Sequence, residues 1–233
     1  MATSTAIYVP NSGEKEMLKA ILLQKAQVLG LYSNQAGTDG SMTIDSLTEL
    51  ATGGGRGYAP IALSNDIVEN ALTADKWFVY TNATGKAQAD YDNAVQTWTF
   101  TATDVADAKT VYGVFAISYV IPFDGAVTEI KVGDTVTGHT SAATGVVTGV
   151  SLQSGTWAAA GAGYIDIKTK TGTFQDGEEL WVAGAKVAVS NTSTTGDAYK
   201  RLLGVWAFAS GIAVTAVGQS ITWDHKMALA SGS

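Results

Sequence analysis

A strand-rich pattern in the middle of this chain is interrupted, and the interruption constrains the fold more than any other feature. Aromatic and β-branched residues at 96–101 and 110–117 predict two strands, and their pattern stops at Pro122. A matching pattern at 202–208 follows only about eighty residues later, beyond a segment of different composition. This layout predicts one β domain that carries a second β domain in a loop.

The segment between the two halves is rich in Gly, Thr, Ala and Val and poor in aromatic residues. It contains a weak internal repeat, because residues 132–138 and 176–184 both combine a glycine and an acidic residue with a short strand that ends at a glycine. Two related hairpins of this kind predict a small β-barrel or sandwich. The Ser- and Thr-rich residues 190–197 are typical of a linker that leads back to the outer module.

The predicted fold class is therefore mainly β, with a β-sandwich or jelly-roll-like base domain, one short N-terminal helix and an inserted small β domain. The base is predicted to be discontinuous, formed by residues 12–122 plus 197–233. The insertion is predicted at 123–196. Residues 1–11 have no periodicity and predict an extended N-terminal arm.

The N-terminal helix is predicted at about 12–26. Asn11 is a potential N-cap, and Glu14 follows it at the spacing of a capping box. The apolar residues that recur at helical spacing are Met17, Leu18, Ile21 and Leu22. Further strands are predicted at 28–32, 77–81, 202–209, 212–217 and 221–228.

Composition limits the classes of partner. The net charge is −7 and Lys200-Arg201 is the only adjacent basic pair, so we expect no nucleic-acid partner. The chain has no cysteine, which excludes disulfides and thiolate chemistry. No apolar stretch approaches the ~18 residues of a membrane helix, and the first residues lack the order of a signal peptide, so we expect neither a membrane partner nor Sec-type export.

No motif in the sequence assigns a catalytic, cofactor-binding or metal-binding residue. His139 and His225 are the only two histidines, and neither has a partner at ligand spacing, which favours an ordinary surface or sheet histidine over a metal ligand. Asp90 begins a segment that matches only the start of a calcium loop. Glu178 and Glu179 are adjacent, so on a strand they point to opposite faces and form no working carboxylate pair.

Two other patterns have a structural interpretation. Glycines at 53–57 lack the spacing of a phosphate-binding loop and favour a backbone turn. Strand spacing of the larger aromatic residues favours core or interface packing over a sugar-binding groove. These aromatic residues are Trp77, Trp98, Phe100, Tyr112, Phe115, Trp206 and Phe208.

The outer module resembles a group of small tailed-bacteriophage virion proteins, and the inserted segment is similar to a module found in many phage particle and fibre proteins. For the outer module, the residues that carry the resemblance are 31–34, 47–49, 53–55, 57–60, 96–100, 111–115 and 203–207. For the inserted segment, they are 132–138, 140–145 and 172–178.

This resemblance implies a non-enzymatic structural protein, a capsid decoration (cement) protein on the capsid surface of a virion, made in the host bacterial cytoplasm. Its implied partner is the major capsid protein, whose subunits it bridges. Symmetry about a local three-fold axis implies a homotrimer, in which many modest contacts act together. The interface is predicted in the arm, as a strand laid upon a neighbour, at Ile7, Tyr8, Val9 and Pro10.

Two other classes of function stay open. A tail or fibre component would use the inserted domain to bind a host glycan through exposed aromatic residues such as Trp157 and Trp181. Copy number separates these two, because a cement protein is present in many more copies per particle than a fibre. An enzyme such as a glycan depolymerase would need two carboxyl groups that converge across strands at ~5 to 9 Å.

Overall fold

The computed structural model describes residues 11–36, 42–50, 57–71, 73–91, 95–101, 109–191 and 199–228. Within them the chain is mainly β and has a single α-helix, α1 (Asn11–Gln24), which confirms the predicted fold class. A 3₁₀ turn lies at Ile44–Ser46. The strands are β1 (Gln27–Tyr32), β2 (Ile61–Ala62), β3 (Ile67–Val68), β4 (Trp77–Thr81), β5 (Ala87–Tyr91), β6 (Gln96–Thr99), β7 (Lys109–Ala126), β8 (Thr135–Gly138), β9 (Thr144–Thr156), β10 (Ala159–Thr171), β11 (Glu179–Val182), β12 (Ala185–Ser190), β13 (Lys200–Val214), β14 (Ser220–Trp223) and β15 (Lys226–Ala228).

The base is built around the first half of β7, which lies between β1 on one side and β13 on the other. A second sheet has the order β15-β5-β4-β3, and β14 pairs with β6 separately. All of these pairings are antiparallel except that of β3 with β4. The buried side chains that these layers share include Leu29, Leu31, Trp77, Val79, Trp98, Phe100, Val111, Val114 and Ile221.

The opposite face of the β1–β7 sheet is also covered. Tyr32, Phe115 and Ile117 form a buried cluster there, against residues that include Ile44 and Leu47. The Phe115 ring lies so close to Gly30 that a β-carbon on Gly30 would be 2.3 Å from it. Both faces of β7 are therefore buried, which explains its nearly continuous apolar sequence.

Helix α1 packs one stripe against the base and ends earlier than predicted. Leu18 and Leu22 are fully buried, whereas Met17 and Ile21 are exposed. Among the described strands the helix packs mainly against β4 and β5, so Met17 and Ile21, each one position before a buried leucine, face outward. The Glu14 carboxylate accepts a hydrogen bond from the Ala87 backbone N–H at 3.4 Å.

The second half of β7 belongs to a closed ring of strands. It pairs with β10, and the ring then continues through β9, β8, β11 and β12 back to β7. This small barrel has its own buried cluster, and its order of strands abolishes the sheet edge. The cluster contains Ile121, Phe123, Ile130, Val136, Val147, Ile165, Ile167, Phe174, Leu180 and Val187.

Strand β7 runs through Pro122 to Ala126, so the prediction that the pattern stops at Pro122 is wrong. The N–H and C=O of one strand residue point to the same side. The Pro122 carbonyl accepts from the Asn191 N–H at 2.9 Å, which places the missing N–H on that side too. On this side of β7, the pairing with β12 ends at Phe123 and the pairing with β13 begins at Tyr119. Pro122 lies between these two pairings, so no strand pairing requires a backbone N–H from it.

The C-terminal strands also differ from the prediction. The two strands predicted at 202–209 and 212–217 are a single strand, β13. Its pairing with β7 continues past the predicted interruption through a register shift between Ala207 and Ile212. The predicted strand 221–228 is two strands, β14 and β15, which pair with different sheets. The domain boundaries predicted at 122–123 and 196–197 stay a prediction. Strand β7 contributes side chains to the buried cluster of the base and to that of the barrel.

Candidate functional site

The outer edge of β13 is the most extensive candidate interaction surface of the described chain. Strand β13 pairs with β7 along one side, and no other strand within the described ranges pairs with its opposite side. The strand is 15 residues long and offers backbone donors and acceptors to a further strand, except near its end, where the Ala213 carbonyl accepts from the Gln219 amide at 2.7 Å. Open edges of this length template pairing with another chain unless they are covered.

Apolar side chains accompany this open edge. They are partly buried against the base, on one sheet face or the other, and the rest of each side chain is accessible. Short residues such as Ala207 and Ala213 alternate with them and are exposed. The partly buried apolar residues of β13 are Leu202, Leu203, Val205, Trp206, Phe208, Ile212 and Val214.

A buried carboxylate joins the barrel to the base. Asp166 lies on the outer face of β10 and is 2% exposed. Its Oδ2 accepts from the Lys25 Nζ at 2.5 Å and from the Gln24 Nε2 at 2.9 Å. The Arg201 guanidinium lies 3.8 Å from Oδ1. Asp166 therefore connects three separate parts of the chain, namely the end of α1, the barrel and β13.

A second buried polar group lies inside the base. His225 is fully buried, and its ring meets Trp77 and Trp206 edge to face, with ring centroids 5.4 and 4.9 Å apart. The Trp223 Nε1–H, which can only donate, lies 3.2 Å from Nδ1. The Nε2 atom lies 2.9 Å from the Gln27 Oε1, so Nε2 carries the proton and donates it. Burial lowers the pKa of His225 to about 4, although the Asp224 charge acts in the opposite direction.

Glu178 organises one end of the barrel. Its carboxylate accepts from the backbone N–H groups of Thr140, Ser141 and Gln175 at 3.2, 2.9 and 2.6 Å. The Ser141 hydroxyl donates to it as well, at 2.9 Å. The neighbouring Glu179 instead binds Lys186 and the Trp181 indole N–H. The two glutamates therefore have separate structural contacts and do not form a carboxylate pair.

Replacing Glu178 by Gln should lower the free energy of unfolding by about 2 kcal/mol, because one end of the amide turns a donor toward N–H groups that lose their acceptor. Urea denaturation followed by Trp fluorescence measures this change. Glu179→Gln is the matched control, with the same chemical change one residue further along the chain. An equal effect of the two substitutions would contradict the assigned role of Glu178.

Trp157 and Trp181, the aromatic residues predicted to be exposed, are each only partly exposed and lie in two separate places. Trp181 is half-buried and stacks on His139, with ring centroids 4.3 Å apart and planes 8° apart. Both rings line a small surface hollow of about 230 Å³ together with Thr137, Ala183 and Gly184. Trp157 instead stacks on Phe123 at 5.7 Å.

The structure places the other predicted residues as follows. The arm residues Ile7, Tyr8, Val9 and Pro10, predicted as the partner interface, lie outside the described residues. Asp90 is largely buried and accepts from the Tyr80 hydroxyl at 3.0 Å and the Gln88 amide at 2.7 Å. Core packing of the larger aromatic residues is confirmed, because they are buried or partly buried: Trp77, Trp98, Phe100, Tyr112, Phe115, Trp206 and Phe208.

Sequence reasoning did not find Asp166 or the buried state of His225. The sequence around each residue contains no pattern that marks it, because important partners of both residues lie far away along the chain. Among the described residues, no group of His, Asp and Glu side chains is arranged to hold a metal ion. None of the helical segments in the described part of the chain is long and apolar enough to cross a bilayer.

Comparisons with protein families, with curated proteins and with solved structures find no match for this chain.

Proposed function

We propose that this chain is a non-enzymatic structural protein of a bacteriophage virion, a capsid decoration protein that binds the major capsid protein and its own copies. The observation that carries the proposal is the open edge of β13 with its partly accessible apolar side chains. Such an edge is typical of a surface that is covered in an assembly. The resemblance of the outer module to phage virion proteins supports the same conclusion.

In this proposal the edge works by strand addition. A segment of a neighbouring subunit pairs with β13 through its backbone, while Val205 and Trp206 receive apolar side chains on the two faces. Repeating this contact around a three-fold axis gives a closed trimer. Several such contacts on one shell stabilise it together, although each is weak alone.

A receptor-binding tail or fibre component is the second candidate. The Trp181–His139 stack favours it, because an accessible aromatic face beside a hollow is a common feature of ligand sites. Copy number separates the two proposals. Cryo-electron microscopy of labelled particles should show the protein distributed over the shell, and confinement to the tail would overturn the decoration proposal.

Ala207→Lys and Ala213→Lys test the β13 edge without removing a buried side chain, since both alanines are exposed. Each should weaken self-association and retention on shells by about tenfold, because a desolvated lysine at a strand-addition surface opposes pairing. Light scattering after size exclusion gives the mass of the assembly, and cosedimentation gives the retention.

Ala185→Lys is the matched control, because Ala185 is also an exposed strand alanine but lies in the barrel. It should leave mass and retention unchanged. If the two β13 variants bind shells as tightly as the unmodified chain, the edge is not the binding surface.

A further inference from the structure

Helix α1 has an apolar surface on the side that faces away from the base. The residues on this side are all exposed, whereas Leu18 and Leu22 on the opposite side are fully buried. The outer face of α1, as we call this surface, consists of Met17, Ala20, Ile21 and Leu23. Nothing in the proposed decoration function uses it.

The exposed apolar side chains of α1 form a cluster. Eight large apolar side chains are exposed among the described residues, and three of them lie within residues 17–23. Met17 and Leu23 are each 51% exposed, and Ile21 is 36% exposed. Single exposed apolar residues are ordinary, but a contiguous group of them marks an interaction surface.

The charged side chains of α1 are bound elsewhere. Lys19 lies between Glu16 at 2.8 Å and Glu69 at 2.5 Å, so the charge of Glu16 at the margin of the outer face is balanced. The Glu14 carboxylate faces the Ala87 backbone N–H of the base. The helix is thus apolar both toward the core and away from it, a pattern typical of a helix that is covered on both sides.

The pattern on the outer face is self-complementary. Ala20 lies opposite the buried leucines, with Met17 about one turn before it and Leu23 about one turn after it. Two copies of α1 that cross antiparallel at Ala20 place Met17 of each copy beside Leu23 of the other. The short alanine lets the helices approach, and the larger side chains fill the space on either side of the crossing. A contact about a two-fold axis requires such a surface, because each copy contributes the same residues.

Charge and size also favour a second copy as the occupant. The antiparallel arrangement places the first turn of one helix, the positive end of its dipole, beside the last turn of the other, which has the negative end and no basic residue. With 14 residues, α1 is about 21 Å long. Two such helices bury less than the ~1,200 Å² of a stable interface, so this contact is weak when it acts alone.

We propose that the outer face of α1 binds the same face of a second copy, as an antiparallel helix pair about a two-fold axis at Ala20. The pair does not depend on the proposed decoration function, but its role on a shell does. There, three-fold contacts at β13 would close trimers and two-fold contacts at α1 would join neighbouring trimers into a continuous net.

The full-length chain with Ala207→Lys and Ala213→Lys isolates this contact, because both substitutions oppose association through β13. With methionine methyl groups labelled for NMR, the Met17 signal should shift as the concentration rises from about 0.02 to 2 mM, which corresponds to a dissociation constant of about 0.2 mM. The Met227 signal, from β15 in the base, is the internal control and should stay in place.

A pair of opposite charges at Ala20 tests the two-fold axis. Ala20→Lys and Ala20→Glu should each weaken the dimer by more than tenfold, because each places two like charges at the crossing. An equal mixture of the two variants should associate again, since opposite charges then meet. Lysine and glutamate are both good helix formers, so the thermal midpoint should not change. Ala185→Lys and Ala185→Glu, at an exposed alanine of the barrel, are the matched controls and should show no effect of mixing.

Three results would contradict the α1 pair. A Met17 signal that is independent of concentration would mean that the outer face does not bind a second copy. A mixture of the Ala20 variants that associates no better than either alone would mean that the two helices do not cross at Ala20. A Met17 shift that Ile7→Asp reproduces at low concentration would make the N-terminal residues of the same chain the occupant.

The two association surfaces fail in different ways. If only the β13 proposal is wrong, sedimentation of the unmodified chain should end at a dimer that Ala20→Lys abolishes. If only the α1 proposal is wrong, the unmodified chain should end at a trimer and the β13 variant should remain a monomer.

Discussion

Asp166→Asn should lower the free energy of unfolding by about 3 kcal/mol, the low end of the loss expected when one partner of a buried ion pair is removed. Asp166 is 2% exposed, while the side chains of Lys25 and Arg201 retain 15% and 40% of their exposure. The amide cannot compensate the Lys25 charge, but both cations can regain part of their hydration. Urea denaturation at pH 7 measures the difference.

A double-mutant cycle isolates the interaction between Asp166 and Lys25. Lys25→Met alone leaves the carboxylate without its main cation, whereas Asp166→Asn combined with Lys25→Met removes both charges. We therefore expect the double variant to be clearly more stable than the sum of the two single losses predicts. Simple additivity would mean that the two side chains do not stabilise the junction as a pair.

Acidification should destabilise the protein through His225. Its pKa in the folded state is about 4, below the ordinary value of 6.5 that it regains on unfolding. The unfolded chain therefore takes up the proton first, so this contribution is complete above pH 6.5 and is lost as the pH falls toward 4. At about 1.4 kcal/mol per pH unit, the free energy of unfolding should fall by about 2 kcal/mol between pH 6.5 and 5.

Most carboxylates titrate below this pH range. The change in the free energy of unfolding between pH 6.5 and 5 therefore reports on the histidine and not on them. His225→Gln should be less stable at neutral pH, because it disturbs the contacts to Trp223 and Gln27, yet its stability should vary little from pH 6.5 to 5. His139→Gln is the control, because it makes the same substitution at the other histidine, which is exposed and has none of the contacts of His225. A flat curve for the unmodified chain would show that His225 is not held neutral.

Local alternation predicted much of the strand content. Residues 77–81 form β4 with the predicted bounds, and Trp98 and Phe100 share a buried face while Thr97 and Thr99 face outward. These predictions succeed because strand burial has a period of two residues, which a short segment displays by itself. The stop at Pro122 failed because it treated the proline alone, without the change of neighbouring strand that accommodates it.

The candidate sites depend on contacts that no local pattern contains. Lys25 and Asp166 are 141 residues apart in the chain, and Gln27 and His225 are 198 apart. The edge of β13 is open, among the described strands, only because of the order of strands around it. Adjacent Lys200 and Arg201 were visible as a basic pair, but their separate carboxylate partners, Glu49 and Asp166, were not.

The continuity of β7 has a mechanical consequence. A module attached through flexible linkers swings when it is pulled, but here one unbroken strand is hydrogen-bonded within the base over its first half and within the barrel over its second. Force applied to the barrel along this strand is therefore transmitted directly to the base ladders, loading many hydrogen bonds in shear at once. In the proposed role on a shell under internal pressure, such a strand would transmit force from the barrel to the base directly, without a preceding movement of a flexible linker.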